Sequence, residues 1–132
     1  MDESAWATLK RAAGEARGNA YAPYSSFAVG AAVLSESGRV FTGCNVENAS
    51  YGATICAERA ALSAAVTAGE RELVALVIVS GAKSAIPPCG ICRQSLAEHG
   101  PALAIRSYAG EAQSDYELSA LLPEAFGRRH LD

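Results

Sequence analysis

The sequence has no strong excess of charge. Lys and Arg number 11 against 14 Asp and Glu, for a formal net charge of −3. Binding to a nucleic-acid polymer normally shows as a basic excess or stripe. A polynucleotide partner is therefore disfavoured, while a small ligand without phosphate is not. No apolar run approaches the roughly 18 residues a membrane helix needs, so no membrane role is expected. The first residues, Met1-Asp2-Glu3-Ser4, are acidic where a secretory peptide is basic, and the expected location is the cytoplasm. Internal repeats, low-complexity tracts and linkers are all lacking, so residues 1–132 are expected to form one domain. Cysteine is sparse, with Cys44, Cys56, Cys89 and Cys92 only. An even count permits disulfides. Half the residues are hydrophobic, however, and a chain with that much core and no export signal reads better as metal or thiol chemistry.

What is present alternates between helix and strand. Residues 4–17 carry Trp6, Leu9, Ala13 and Ala16 on one face, with Ser4 placed to cap the start and Gly18 the end. Pro23 makes the following segment a loop. Two strands are expected at 27–34 and 39–46, joined by a turn at Glu36-Ser37-Gly38. Residues 47–54 read as loop, and the Ala-rich stretch 55–68 as a buried helix. The continuous β-branched run 73–80 fits a central strand. A loop at 81–88, a helix at 90–99, a strand at 103–108 and a final helix at 114–122 complete the pattern. Such alternation implies a layered α/β domain with helices on both faces of the sheet.

Chemistry concentrates at two expected helix starts. Pro88-Cys89-Gly90-Ile91-Cys92 is a Cys-x-x-Cys at a helix N-terminus, where free N–H groups and the helix dipole stabilise thiolates. Taken alone it suits zinc, a redox pair or inert structural cysteine. Cys56, 33 positions upstream, opens the other central helix. Three protein ligands leave one tetrahedral position for water, which marks a catalytic zinc. A structural zinc site needs a fourth ligand, and Cys44 falls within the second strand, where a buried cysteine is an ordinary small hydrophobe. Glu58 follows Cys56 by two residues. An isolated Glu early in a helix is usually a dipole partner. Beside a metal-held water it can take a proton and pass it on. Zinc with three thiolates and a hydroxide carries net negative charge, which Arg59 and the two helix N-termini can offset at sulfur.

These elements are those of the nucleobase deaminases, which pair a His- or Cys-x-Glu element with Pro-Cys-x-x-Cys. The sequence resembles the small homotetrameric zinc-dependent cytidine deaminases through most of its length. The segments that carry the resemblance are Tyr21-Ala-Pro-Tyr-Ser-Ser-Phe-Ala-Val-Gly-Ala-Ala, Gly43-Cys-Asn-Val-Glu-Asn-Ala-Ser-Tyr-Gly, Cys56-Ala-Glu-Arg-Ala-Ala, Pro88-Cys-Gly-Ile-Cys-Arg-Gln and Leu121-Leu-Pro-Glu-Ala-Phe-Gly.

The resemblance implies a three-layer α/β/α sandwich around a mixed five-stranded sheet, assembled as a homotetramer with one zinc per chain. It implies hydrolysis of cytidine and deoxycytidine to uridine and deoxyuridine with release of ammonia, by water activated on zinc, in pyrimidine salvage. Cys56, Cys89 and Cys92 would hold the zinc, and Glu58 would shuttle protons. Asn45 and Glu47 would hold the ribose hydroxyls, Phe27 would line the nucleoside pocket, and the Ala57 backbone would contact the base carbonyl. Ala49, Tyr51 and Phe126 would complete a neighbouring subunit's site, and Arg59 and Gln94 would support the centre from behind. Many relatives have Ser-Pro-Cys-Gly where this chain has Pro87-Pro88-Cys89-Gly90. The carbonyl used there near the leaving amine survives in proline. A deaminase of a cytosine antibiotic such as blasticidin S shares the metal chemistry, but the intact Asn45-Val46-Glu47-Asn48 favours ordinary nucleosides. A polynucleotide-editing deaminase would need a basic surface. A thiol redox module would use Cys89 and Cys92 and leave Glu58 idle, and a non-catalytic zinc module would need a fourth protein ligand.

Overall fold

A computed structural model of the chain describes residues 1–131. The first helix, α1 (Glu3–Arg17), begins at Asp2 rather than at Ser4, because the Asp2 carboxylate accepts the Ala5 N–H at 2.8 Å. Gly18 follows its last turn, and Trp6, Leu9 and Ala13 form its buried stripe.

Five strands make one sheet: β1 (Val29–Ser35), β2 (Val40–Cys44), β3 (Leu73–Ser80), β4 (Ala104–Ala109) and β5 (Ala112–Glu117). Their order is β2-β1-β3-β4-β5, parallel only between β3 and β4, so the sheet is mixed. Helix α2 (Ala57–Thr67) joins β2 to β3, and α3 (Gly90–Ala97) makes the crossover from β3 to β4 that a parallel pair requires.

The strands' period of two sorts side chains between two cores. Ala31, Val33, Leu76, Ile78 and Ile105 pack with Ala61, Ala65, Cys92 and Leu96 of α2 and α3. The alternate positions Ala32, Ala75, Val77 and Tyr108 pack with Trp6, Leu9 and Ala13 of α1. The result is the expected α/β/α sandwich. β3 lies at its centre and is buried over most of its length, as its unbroken apolar run implies. Two glycines let the layers close. A Cβ on Gly30 would lie 2.0 Å from the Ala13 carbonyl in α1, and one on Gly43 would lie 2.4 Å from the Ala61 nitrogen in α2.

The segment expected as a helix over 114–122 is instead mostly strand: β5 occupies Ala112–Glu117, and helix α4 keeps only Leu118–Leu121. A tight turn at Gly110 (φ +61°) folds Ala112 back opposite Ala109. Arg106 then faces Asp115 across the two strands and forms paired hydrogen bonds at 2.9 and 3.2 Å. Its guanidinium also lies over the Trp6 ring, 4.5 Å from the centroid. The partners across the sheet outweigh the weak helical spacing of Tyr116, Leu118 and Leu121.

Where β2 and β3 end, β1 begins: Gly30 pairs with Cys44 and Val29 with Ser80. The N-termini of α2 and α3 meet at this edge of the sheet.

Candidate metal centre and active site

Cys56 is the N-cap of α2 and Cys89 the N-cap of α3, and neither side chain caps its own helix. Both sulfurs are therefore free to turn toward one another, and they stand 3.8 Å apart. Cys92, one turn into α3 on the same face as Cys89, brings the third sulfur, and all three Sγ atoms lie within 4.8 Å of one another. A disulfide needs ~2.05 Å, whereas two sulfurs each ~2.3 Å from one tetrahedral ion sit ~3.8 Å apart. The donor set and its spacing thus fit zinc. No other Cys, His, Asp or Glu joins the cluster among the described residues, so a fourth coordination position remains for a small ligand. A structural zinc is closed and a redox pair needs only two sulfurs, so neither fits this arrangement.

The electrostatics around the sulfurs follow from their contacts. A hydrogen bond from Cys92, reinforced by Arg59, holds the Cys56 thiol down at about 5. Cys92 is pushed up in turn, by its bond to Cys56 and then by burial. Arg59 Nη2 donates to the Thr54 carbonyl at 3.2 Å and lies 3.9 Å from Cys56 Sγ. The Arg59 Nε–H is buried without a protein partner. Glu58, in the first turn of α2, is 5% exposed, and its Oε2 lies 3.3 Å from Cys92 Sγ. Burial raises its pKa above the ordinary carboxylate value.

A cleft of about 210 Å³ opens over this centre, lined by Phe27, Asn45, Cys56, Ala57, Glu58 and Cys89 together with Val29, Thr54, Ile86 and Pro87. A second cleft of about 380 Å³ adjoins it through Thr54 and is lined by Tyr24, Ser25, Glu47, Asn48 and Tyr51. Asn45 is 8% exposed and acts as a piece of strand: its Oδ1 accepts the Val29 N–H at 2.9 Å and its Nδ2 donates to the Phe27 carbonyl at 2.7 Å. Glu47 accepts the N–H groups of Tyr24 and Ser25 at 2.9 and 3.1 Å and the Ser25 hydroxyl, which together hold its carboxyl below the ordinary value.

Three expected residues stand apart from the chain's own clefts. Ala49 is exposed and lines neither. Phe126 is 59% exposed in a separate groove with Ala97, Arg128 and Arg129. Gln94 donates to the Phe126 carbonyl at 2.8 Å rather than to a sulfur. Sequence reasoning did not single out Ser25, Thr54 or Ile86. Ser25 lies in the Tyr21-Ala-Pro-Tyr-Ser-Ser-Phe segment that carries the resemblance and Thr54 two residues before Cys56, but nothing in the sequence marked a role for either.

An open three-thiolate centre with a buried carboxyl beside it is suited to zinc-assisted hydrolysis, and comparison with known proteins points the same way. A family model described as the cytidine and deoxycytidylate deaminase zinc-binding region matches residues 4–107, and the chain belongs to that family of zinc-dependent hydrolytic deaminases. A cytidine deaminase of Halalkalibacterium halodurans is 50% identical over 115 residues, covering 85% of this chain and 86% of its own. One from Mycobacterium tuberculosis is 47% identical over 127 residues, 96% of this chain and 93% of its own. The crystal structure of a cytidine deaminase from Burkholderia pseudomallei superposes with a TM-score of 0.87 at 45% identity, covering 96% of this chain and all of that one.

Proposed function

We propose that the chain converts cytidine and deoxycytidine, with water, to uridine and deoxyuridine and ammonia, in pyrimidine salvage. The observation that carries this reading is the buried Glu58 carboxyl held 3.3 Å from the innermost of three convergent sulfurs, at the floor of a cleft open to a small ligand. Cys56, Cys89 and Cys92 would hold one zinc, which when bound lowers the pKa of water toward neutrality. The oxygen of the water adds to C4 of the base. Glu58 carries one proton of the water to ring N3 and the other to the exocyclic amine, which leaves as ammonia as the C4–N bond breaks. A carboxyl whose pKa burial has raised can serve as base and acid in turn.

Phe27 flanks the base, the Ala57 N–H at the start of α2 meets its carbonyl, and Asn45 and Glu47 receive the ribose. Arg59 offsets the thiolate charge at Cys56. Gln94 holds the segment that bears Phe126. The enzyme works as a cytoplasmic homotetramer, in which Ala49, Tyr51 and Phe126 of one copy complete a neighbour's site. Tyr51 at 77% and Phe126 at 59% exposed leave both rings accessible to a neighbouring copy, which supports this arrangement. The test is Glu58→Gln, assayed by loss of the cytidine absorbance band with zinc quantified in the same sample. The variant is expected to keep about one zinc per chain and lose at least ~10³-fold in kcat. Turnover near that of the parent would remove Glu58 from the proton path.

A further inference from the structure

Ser25 lines the second cleft, two residues before Phe27 of the first, and its hydroxyl makes two bonds at once. Its hydroxyl donates to Glu47 Oε2 and accepts the Phe27 N–H at 3.0 Å. Its backbone N–H, with that of Tyr24, donates to Glu47 Oε1. The backbone on either side is locked to the same segment. Tyr21 donates to the Asn45 carbonyl at 3.0 Å, and Glu47 donates to the Tyr21 carbonyl at 2.9 Å. Ser26, next in the chain, is held at φ +59°, a left-handed conformation that serine rarely adopts, and its N–H bonds the Ala22 carbonyl at 3.0 Å. The turn is therefore shaped to point two N–H groups and a hydroxyl at one carboxylate.

A carboxylate offers about four acceptor positions. Three are taken by this turn, which leaves one on a residue that lines the adjoining cleft. No Lys, Arg or His lines that cleft. A ligand group that meets this oxygen must be a hydrogen-bond donor, and a hydroxyl suffices.

We infer that Ser25 is a positioning residue for substrate: it fixes Glu47 with a single outward acceptor, which selects a sugar hydroxyl, and ties that acceptor to the backbone of the base-flanking Phe27. The inference rests on the nucleoside deaminase reading and deepens it. By coupling Glu47 to Phe27, Ser25 sets the distance between the sugar contact and the base contact. Its loss would weaken binding of the whole nucleoside without touching the proton path at Glu58.

The experiment is steady-state kinetics of the zinc-loaded enzyme with Ser25→Ala and Ser25→Thr. KM for cytidine is expected to rise about 10-fold in Ser25→Ala, the loss of one charge-assisted hydrogen bond, with kcat changed less than about twofold. The competitive Ki of 2′,3′-dideoxyuridine, which has no ring hydroxyl, should stay at the parent value, and Ser25→Thr should restore KM. An equal loss for cytidine and the dideoxy ligand would make Ser25 a general support of the loop and overturn the inference, as would an unchanged KM. Ser25→Gly removes the hydroxyl and keeps both backbone donors, and it replaces the alanine variant if that variant is unstable. A parent enzyme without cytidine turnover would instead sink the deaminase reading itself.

Discussion

Gly43→Ala isolates how strictly the sheet must admit α2. A Cβ at this position would lie 2.4 Å from the Ala61 nitrogen, 2.7 Å from the Ala57 carbonyl oxygen and 2.7 Å from the Ala60 Cβ. Two of these are backbone atoms, so no side chain can swing aside. Ordinary contact requires α2 to retreat by roughly 1 Å, and overpacking of this kind costs about 1–3 kcal/mol. For a domain of this size that is a fall in Tm of about 5–10 °C. The helix carries Cys56 at its N-cap and Glu58 in its first turn, while Cys89 and Cys92 ride on α3. A shift of α2 alone therefore separates one sulfur from the other two. Zinc sites tolerate about 0.2 Å in ligand distance, and a 1 Å misplacement costs catalysis roughly 10²-fold. Purified Gly43→Ala is expected to hold less zinc per chain, melt earlier and turn cytidine over about 10²-fold more slowly. Gly14→Ala is the control. It lies in exposed α1 with nothing within 4 Å of the added Cβ, and should gain about 0.5–1 kcal/mol instead. Parent-like zinc, Tm and rate in Gly43→Ala would refute the claim that α2 is pinned to β2 at this point.

Removal of the metal exposes an ordered set of thiols. At pH 6–7, after chelation, iodoacetamide should label Cys56, whose thiol is held down at about 5, ahead of buried Cys92, whose thiol is pushed up. Peptide mass spectrometry showing the reverse order would disprove that electrostatic arrangement. Glu58 makes the metal-free fold pH-dependent. Its pKa in the fold is raised above 4.5, so ionising it costs stability that appears as pH climbs through 4.5 and is complete above the raised value. Metal-free Glu58→Gln should therefore melt higher than the metal-free parent at pH 7–8, with the difference closing near pH 4. A constant difference across that range would exclude the buried carboxylate as its source.

Legibility followed the range of the interactions. The cluster of Cys56, Cys89 and Cys92, with Glu58 beside it, was readable because each residue sits at or within a turn of a helix start, where local spacing brings them together. β3 was readable because a strand buried on both faces needs a continuous apolar run, and Leu73–Val79 supplies it. β5 was not, because Ala112–Glu117 carries a weak pattern of its own. It is a strand through its register with β4 and the bond from Arg106, which precedes Asp115 by nine residues. Ser25 was equally silent. Its partner Glu47 lies 22 positions on, and a left-handed Ser26 is needed to aim the turn. Phe126 differs again. Resemblance placed it at an active site, and the structure places it in a groove apart from the two clefts at the metal centre, exposed and held through its carbonyl by Gln94. Its ring stacks on that of His130, with centroids 5.3 Å apart. Gln94 lies on the helix that carries Cys92, so its bond ties the Phe126 backbone to the element that bears two of the sulfurs, across 32 positions that no local pattern spans.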